Sequence, residues 1–147
     1  MKKMKKVVAK MYKNPYFTNV PNIGNLDLEE ILVEDDIPVF FTLISENKQR
    51  YISVCCEIYG EQRWIIAPVS NDRLIELLTN KLSIRDIFLN NEGYIIVHWS
   101  KDNPTLRYET VDPHEPPEDD LPLNEMLDTE KDEFSEYITE IQKEETK

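Results

Sequence analysis

Residues 64–89, WIIAPVSNDRLIELLTNKLSIRDIFL, decide how the rest of the chain is read. Trp64 to Val69 is apolar and rich in β-branched and aromatic side chains, the composition of a buried strand. Ser70 then offers an oxygen to the first amides of a helix, and Asp72 sits where the helix dipole favours an acid. The spacing of Leu74, Leu77 and Leu78 beside Ile75 predicts a helix ending near Thr79. Asn80 to Leu82 break it. Ser83 and Asp86 form a capping box, with Asp where Glu or Gln is usual, so a second short helix is expected to bury Ile84, Ile87 and Phe88.

Upstream of this run, Ile37 to Ile44 and Arg50 to Ile58 have strand composition and are separated by the polar turn Ser45 to Gln49. A turn through Gly60 leads from there into the strand at Arg63 to Val69. Short turns imply antiparallel neighbours, because parallel ones need crossovers of a dozen residues or more. Asn14 to Asn25, with Pro15, Pro21 and Gly24, reads as a loop. Leu26 to Val33 fits neither the helical nor the strand period, and a helical turn started by Asn25 or Asp27 is preferred. Downstream, Tyr94 to Trp99 is a further strand, and Thr105 to Val111 is expected to pair with it as an edge.

The expected fold class is therefore α+β: an antiparallel sheet of four to five strands, the Ser70 to Leu89 helix pair on one face, and a C-terminal amphipathic helix. The domain at 14–111 is preceded by a basic tail at 1–13. An acidic, proline-rich linker is expected at 112–124, from which Leu121, Leu123, Met126 and Leu127 can dock back on the body. The final helix at 125–147 is expected to start at Asp128 or Thr129, with Phe134, Tyr137, Ile138 and Ile141 as an apolar stripe.

Charge is unevenly spread along the 147 residues. Residues 1–13 hold six lysines and no acid, whereas residues 109–147 hold fifteen acids against three lysines, within a net charge of -12. Such acidity repels nucleic acid and anionic membrane over a Debye length of roughly 8–10 Å and attracts a basic partner. The oppositely charged ends also suit pairing between copies of the chain. The adjacent Cys55 and Cys56 point to opposite faces of a strand and make no disulfide framework, as expected of reduced thiols in a cytoplasmic protein. No apolar run reaches the length of a membrane span, and the apolar part of the lysine-rich start is too short for a signal peptide.

The pattern from Pro38 to Leu89 resembles a family of small bacterial and phage domains with no assigned function. The resemblance is carried by Pro38 to Ile44, Tyr51 to Ile58, Trp64 to Ser70, Leu74 to Leu78, and Ser83-Ile84-Arg85-Asp86 before Ile87 and Phe88. It implies the α+β fold and a setting among mobile or defence-related bacterial genes. It supplies no catalytic or binding residue.

No local signature of catalysis is present. His98 and His114 lack partners at zinc-ligand spacing, no Gly-rich strand-to-helix turn is available to cradle phosphate, and buried strand thiols are ordinarily inert. No enzyme activity, metal or cofactor is expected. The leading expectation is a non-enzymatic inhibitor or immunity-type protein of a phage or bacterial conflict system, which occludes a partner protein. The stripe Phe134, Tyr137, Ile138 and Ile141 with Glu133, Glu136 and Glu140 would supply its surface. An alternative is a protein that sequesters a nucleotide or signalling molecule at Tyr51, Arg63, Trp64, His98 and Trp99, where arginine and aromatics suit a phosphate and a base. A third is a nucleic-acid mimic, in which Glu118, Asp119, Asp120, Glu133, Glu136, Glu140 and Glu144 imitate a phosphate backbone.

Overall fold

In the computed structural model, which describes residues 12–57, 60–89 and 92–145, the chain is dominated by strands. These are β1 (Phe17–Val20), β2 (Gly24–Asp35), β3 (Ile37–Ser45), β4 (Arg50–Glu57), β5 (Gln62–Pro68), β6 (Tyr94–Trp99) and β7 (Arg107–Val111). They form one seven-stranded sheet in sequence order, with every neighbouring pair antiparallel. Helix α1 (Asn71–Leu78) and a 3-10 turn (Asp86–Phe88) lie between β5 and β6, and helix α2 (Ser135–Glu145) lies near the C-terminus.

The sheet curls until its two edges approach. The Tyr108 hydroxyl of β7 donates to the carbonyl oxygen of Thr18 in β1, and Phe17 of β1 meets Trp64 of β5 edge-on at 5.5 Å between ring centroids. The curl leaves two apolar faces. The inner one holds Phe17, Leu26, Leu28, Phe41, Leu43, Trp64, Ile66, Ile95 and Val97. The outer one, with Phe40, Ile52, Ile65 and Ala67, is covered by Leu74 and Leu77 of α1, by Ile87 and Phe88, and by Phe134, Tyr137 and Ile141 of the C-terminal segment. Alternate residues of each central strand thus serve opposite cores, which is why the strands read as apolar on both sides.

This near-barrel corrects the expected α+β fold of four to five strands and a helix pair. Asn14 to Asn25 contains β1, whose Phe17 and Val20 are buried; the prolines flank that strand. Leu26 to Val33 is part of twelve-residue β2 and not a helical turn. Its pairing with β3 shifts register between Leu28 and Glu30, Ile31 and Val33, and Val33 and Glu34. Each irregularity moves the apolar residues to the other face, so Ile31 joins the inner core and Leu32 the outer, and the period of two is lost from the sequence. Bulges also add twist, which helps the sheet curl.

The predicted helix pair is one helix and one turn. Ser70 caps α1 by accepting from the Arg73 amide at 3.2 Å, and Asn80, at φ 61°, ends it. Ser83 Oγ accepts from the Asp86 amide at 3.0 Å, but the segment continues for only three 3-10 residues. The Ile84 amide is held instead by the Glu125 carbonyl at 2.7 Å.

Residues 112–134 form an ordered strap across the body. Arg63 binds Asp120 through two hydrogen bonds of 2.6 and 3.1 Å, Arg85 pairs with Glu118, and Leu121 is buried. Asn80 and Thr129 exchange side-chain-to-backbone hydrogen bonds, both 2.9 Å. Asp128 and Asp132 take φ of 59° and 65°, so α2 starts at Ser135 and not at Asp128 or Thr129. The predicted basic tail falls, apart from Tyr12 and Lys13, outside the described residues.

Candidate functional site

Three places bring polar side chains together. The first is buried under α2. Arg50, 2% exposed, binds Glu29 of β2 through Nε at 2.7 Å and Nη2 at 2.9 Å, and reaches Asn71 Oδ1 at 3.3 Å. The Tyr137 hydroxyl donates to Glu29 Oε1 at 2.5 Å and lies 2.7 Å from Thr42 Oγ1. Burial, and then the neighbouring Glu29 carboxylate, push the Tyr137 pKa well above that of free tyrosine. The arginine fork is satisfied on both sides by protein groups, so this network clamps α2 to β2, β3 and β4 and has the chemistry of an internal staple.

The second lies on the surface where β5 and β7 begin and β6 ends. Glu61 binds His98 Nδ1 at 2.8 Å and Arg107 Nη2 at 3.0 Å, while His98 Nε2 is 3.5 Å from Glu109. The hydrogen bond from His98 is the main cause of a lowered Glu61 pKa. Among the described residues no Ser, Cys or Thr hydroxyl or thiol is hydrogen-bonded to this histidine, and no group of three His, Cys, Asp or Glu side chains could hold a metal ion.

The third is a cavity of about 350 Å³ at the opposite end of the near-barrel. It is walled by Ile23, Ile66, Pro68 and Ile95 and carries the polar groups of Asn22, Gln49, Tyr51, Glu92 and Thr110. Burial, and secondarily Glu92, raise the Tyr51 pKa, which keeps its phenol protonated. Gly93, at φ 98°, makes this wall possible, since a Cβ there would stand 3.0 Å from the Val111 carbonyl oxygen. Deeper on the inner face, Ser53 Oγ and Trp64 Nε1 have no hydrogen-bond partner among the described residues. Both are sealed into the core and do not line the cavity.

The residues expected to hold a nucleotide are not brought together. Tyr51 lines the cavity, but Arg63 pairs in register with His98 and Gln62 with Trp99, while Tyr51 pairs with Pro68. Five residues along β5 separate the two positions by about 16 Å. Trp64 is inside the near-barrel, and the Arg63 guanidinium is already held by Asp120. Sequence reasoning had no means of finding the cavity, because it is assembled from the ends of five separate segments.

The expected partner surface is divided. Phe134, Tyr137 and Ile141 are buried in the outer core and Ile138 packs partly against it. At roughly 1.5–3 kcal/mol per buried side chain, turning these three outward for a partner would cost at least about 5 kcal/mol. Glu136 and Glu140 face solvent, and Glu133 is half-buried and accepts from the Glu130 amide at 3.0 Å. Of the carboxylates expected to mimic a phosphate backbone, Asp120 and Glu118 are bound to Arg63 and Arg85. What the sequence missed is the strap's own surface: Leu123 and Met126, 71% and 49% exposed, stand among Asp119, Glu125 and Asp128.

No family model, curated protein or solved structure matches the chain. Among the described residues, no helix is long and apolar enough to cross a membrane.

Proposed function

We propose that the chain is a non-enzymatic protein-binding inhibitor of the immunity type, which occludes a basic partner with the acidic face of its strap. The observation that supports this most is the display of Leu123 and Met126 on a segment tied to the body at Asp120, Glu118, Glu125 and Thr129. Exposed apolar side chains rimmed by polar ones mark interaction surfaces, and a segment already ordered loses little further freedom on binding. The surrounding carboxylates select a partner carrying lysine and arginine around an apolar socket. The hydrophobic stripe of α2 takes no part, because it is needed inside.

The test compares the natural chain with a Leu123→Asp/Met126→Asp variant, using a partner captured from lysate of the producing cell and then purified. The reading expects the variant to keep its circular dichroism and thermal transition while its affinity falls by at least about thirtyfold, the loss of one interface hot spot. Binding of both forms with equal affinity, or capture of no stoichiometric partner by either, sinks it. Chemical shift changes confined to α2 would redirect the site to the exposed Glu136 and Glu140 face.

A further inference from the structure

We propose that the cavity at the open end of the near-barrel is a second, independent site, which binds an uncharged small molecule with an apolar body and a hydroxyl or carbonyl oxygen held by Tyr51. Its volume of about 350 Å³ falls within the range of small-molecule sites, and the mouth of a curled sheet is a place where such sites recur. Five segments build it: the β1–β2 turn, the start of β4, the end of β5, the start of β6 and the end of β7. Each strand is fixed by its ladder, so the walls are set before any ligand arrives.

The groups that the fold leaves uncommitted select the ligand. Ile23, Ile66, Pro68 and Ile95 offer an apolar surface for its body. Tyr51 lines the same space, and among the described residues its hydroxyl makes no hydrogen bond. Burial, and then Glu92, raise its pKa, so at neutral pH the phenol keeps its proton and can donate it to a ligand oxygen. The Thr110 hydroxyl and the Asn22 amide add neutral polar groups at the exposed rim. The other polar side chains are engaged within the molecule. Gln49 Nε2 donates to the carbonyl oxygens of Arg50 and Val69 at 2.9 and 3.3 Å, and Glu92 already has a partner of its own. No lysine, arginine or histidine lines the cavity among the described residues, so a phosphate or carboxylate would give up its hydration with no cation to replace it. What remains for a ligand is apolar surface and neutral hydrogen-bonding groups, and an uncharged molecule surrenders least hydration on entering. A nucleotide lacks a site at the other end too, where Arg63 is held by Asp120.

Four probes that share one ring test the proposal on the full chain: 2-phenylethanol, ethylbenzene, phenylacetate and phenethylamine. Amide chemical shifts are followed at neutral pH and physiological salt. The expected result is saturable binding of 2-phenylethanol and ethylbenzene, with shifts centred on 21–23, 49–51, 66–68, 92–95 and 110–111. The two charged probes should bind more weakly than the alcohol, phenylacetate by about tenfold or more. Tyr51→Phe keeps the ring and removes the hydroxyl. It should lower the affinity for the alcohol by about fivefold, the net worth of one neutral hydrogen bond, and leave that for ethylbenzene unchanged. Thr110→Trp, which fills the cavity from strand β7, should abolish binding of both. The proposal is overturned by a charged probe that binds as tightly as the alcohol, by saturable shifts elsewhere only, or by no saturable shifts with any probe. An affinity for the alcohol that survives Tyr51→Phe, or falls no more than that for ethylbenzene, overturns it as well. The strap variant Leu123→Asp/Met126→Asp should bind the alcohol as the natural chain does, which separates this site from the partner surface.

Discussion

At Tyr137 one hydroxyl joins three elements, because it donates to Glu29 of β2, lies against Thr42 of β3 and belongs to α2. Tyr137→Phe keeps the ring and removes the donor, leaving Glu29 short of one partner. Urea unfolding should show a loss of about 1–3 kcal/mol. The pH dependence has a definite sign. Free tyrosine ionises near 10.0 and Tyr137 well above it, so the folded state holds this proton more tightly than the unfolded one. Its contribution is complete below pH 10 and is lost as the pH rises above 10 through the folded value. Stability measured from pH 8 to 11 should therefore fall less steeply in Tyr137→Phe, with a residual slope from Tyr16, Tyr51 and Tyr108, whose pKa values are also raised. At Gly93 the backbone sets the limit: Gly93→Ala places a methyl 3.0 Å from the Val111 carbonyl oxygen at φ 98°, and should cost about 1–3 kcal/mol in the same assay. Tyr137 was legible as part of an apolar stripe and Gly93 as a turn residue, but the groups they meet were not. Nothing local in the sequence ties residue 29 to 50 and 137, and Glu29 stood in a stretch read as a helical turn.

At the level of elements, legibility follows the strength of local signals. The Ser70 cap, the leucine spacing of α1 and the apolar runs of β3, β4 and β5 all speak through neighbours in sequence, and the structure contains each of them. β2 was lost because its bulges shift the alternation, and β1 because two apolar residues in a four-residue strand make no period. The C-terminal stripe was legible as a stripe, but its destination was not: amphipathicity says that a face is covered, never by what. Here the covering surface is the chain's own sheet, which gives a contrast along one helix. Ile141→Ala, at a position 0% exposed, should cost about 2–4 kcal/mol, whereas Glu140→Ala, one residue earlier and exposed, should stay within about 0.5 kcal/mol. If both were neutral in thermal unfolding, α2 would not be docked on the body in solution, and its stripe would be open to a partner after all.

Over the whole molecule the curl of the sheet and the charge act together. Bringing β7 round to β1 encloses the inner core and creates an end open enough for a cavity, while the strap and α2 seal the outer core with a layer dominated by acids. Fifteen acids against three lysines over residues 109–147 repel one another across that layer. Among the described residues the ion pairs of Arg63 with Asp120 and of Arg85 with Glu118 oppose the repulsion, and partly exposed pairs of this kind contribute up to about 1 kcal/mol each. Salt screens both effects, and the sign of the net response shows which is larger. With so many unbalanced carboxylates the repulsion should dominate, so raising sodium chloride from about 20 to 500 mM, which shortens the Debye length from about 20 to about 4 Å, should raise the melting temperature by a few degrees. The same change should weaken binding of a basic protein partner, because there the acidic surface attracts. Opposite salt responses of folding and binding, read in identical buffers, are the signature of a surface whose charge is tolerated by the fold for the sake of recognition. A melting temperature that falls with salt would assign the strap's carboxylates to holding the fold together.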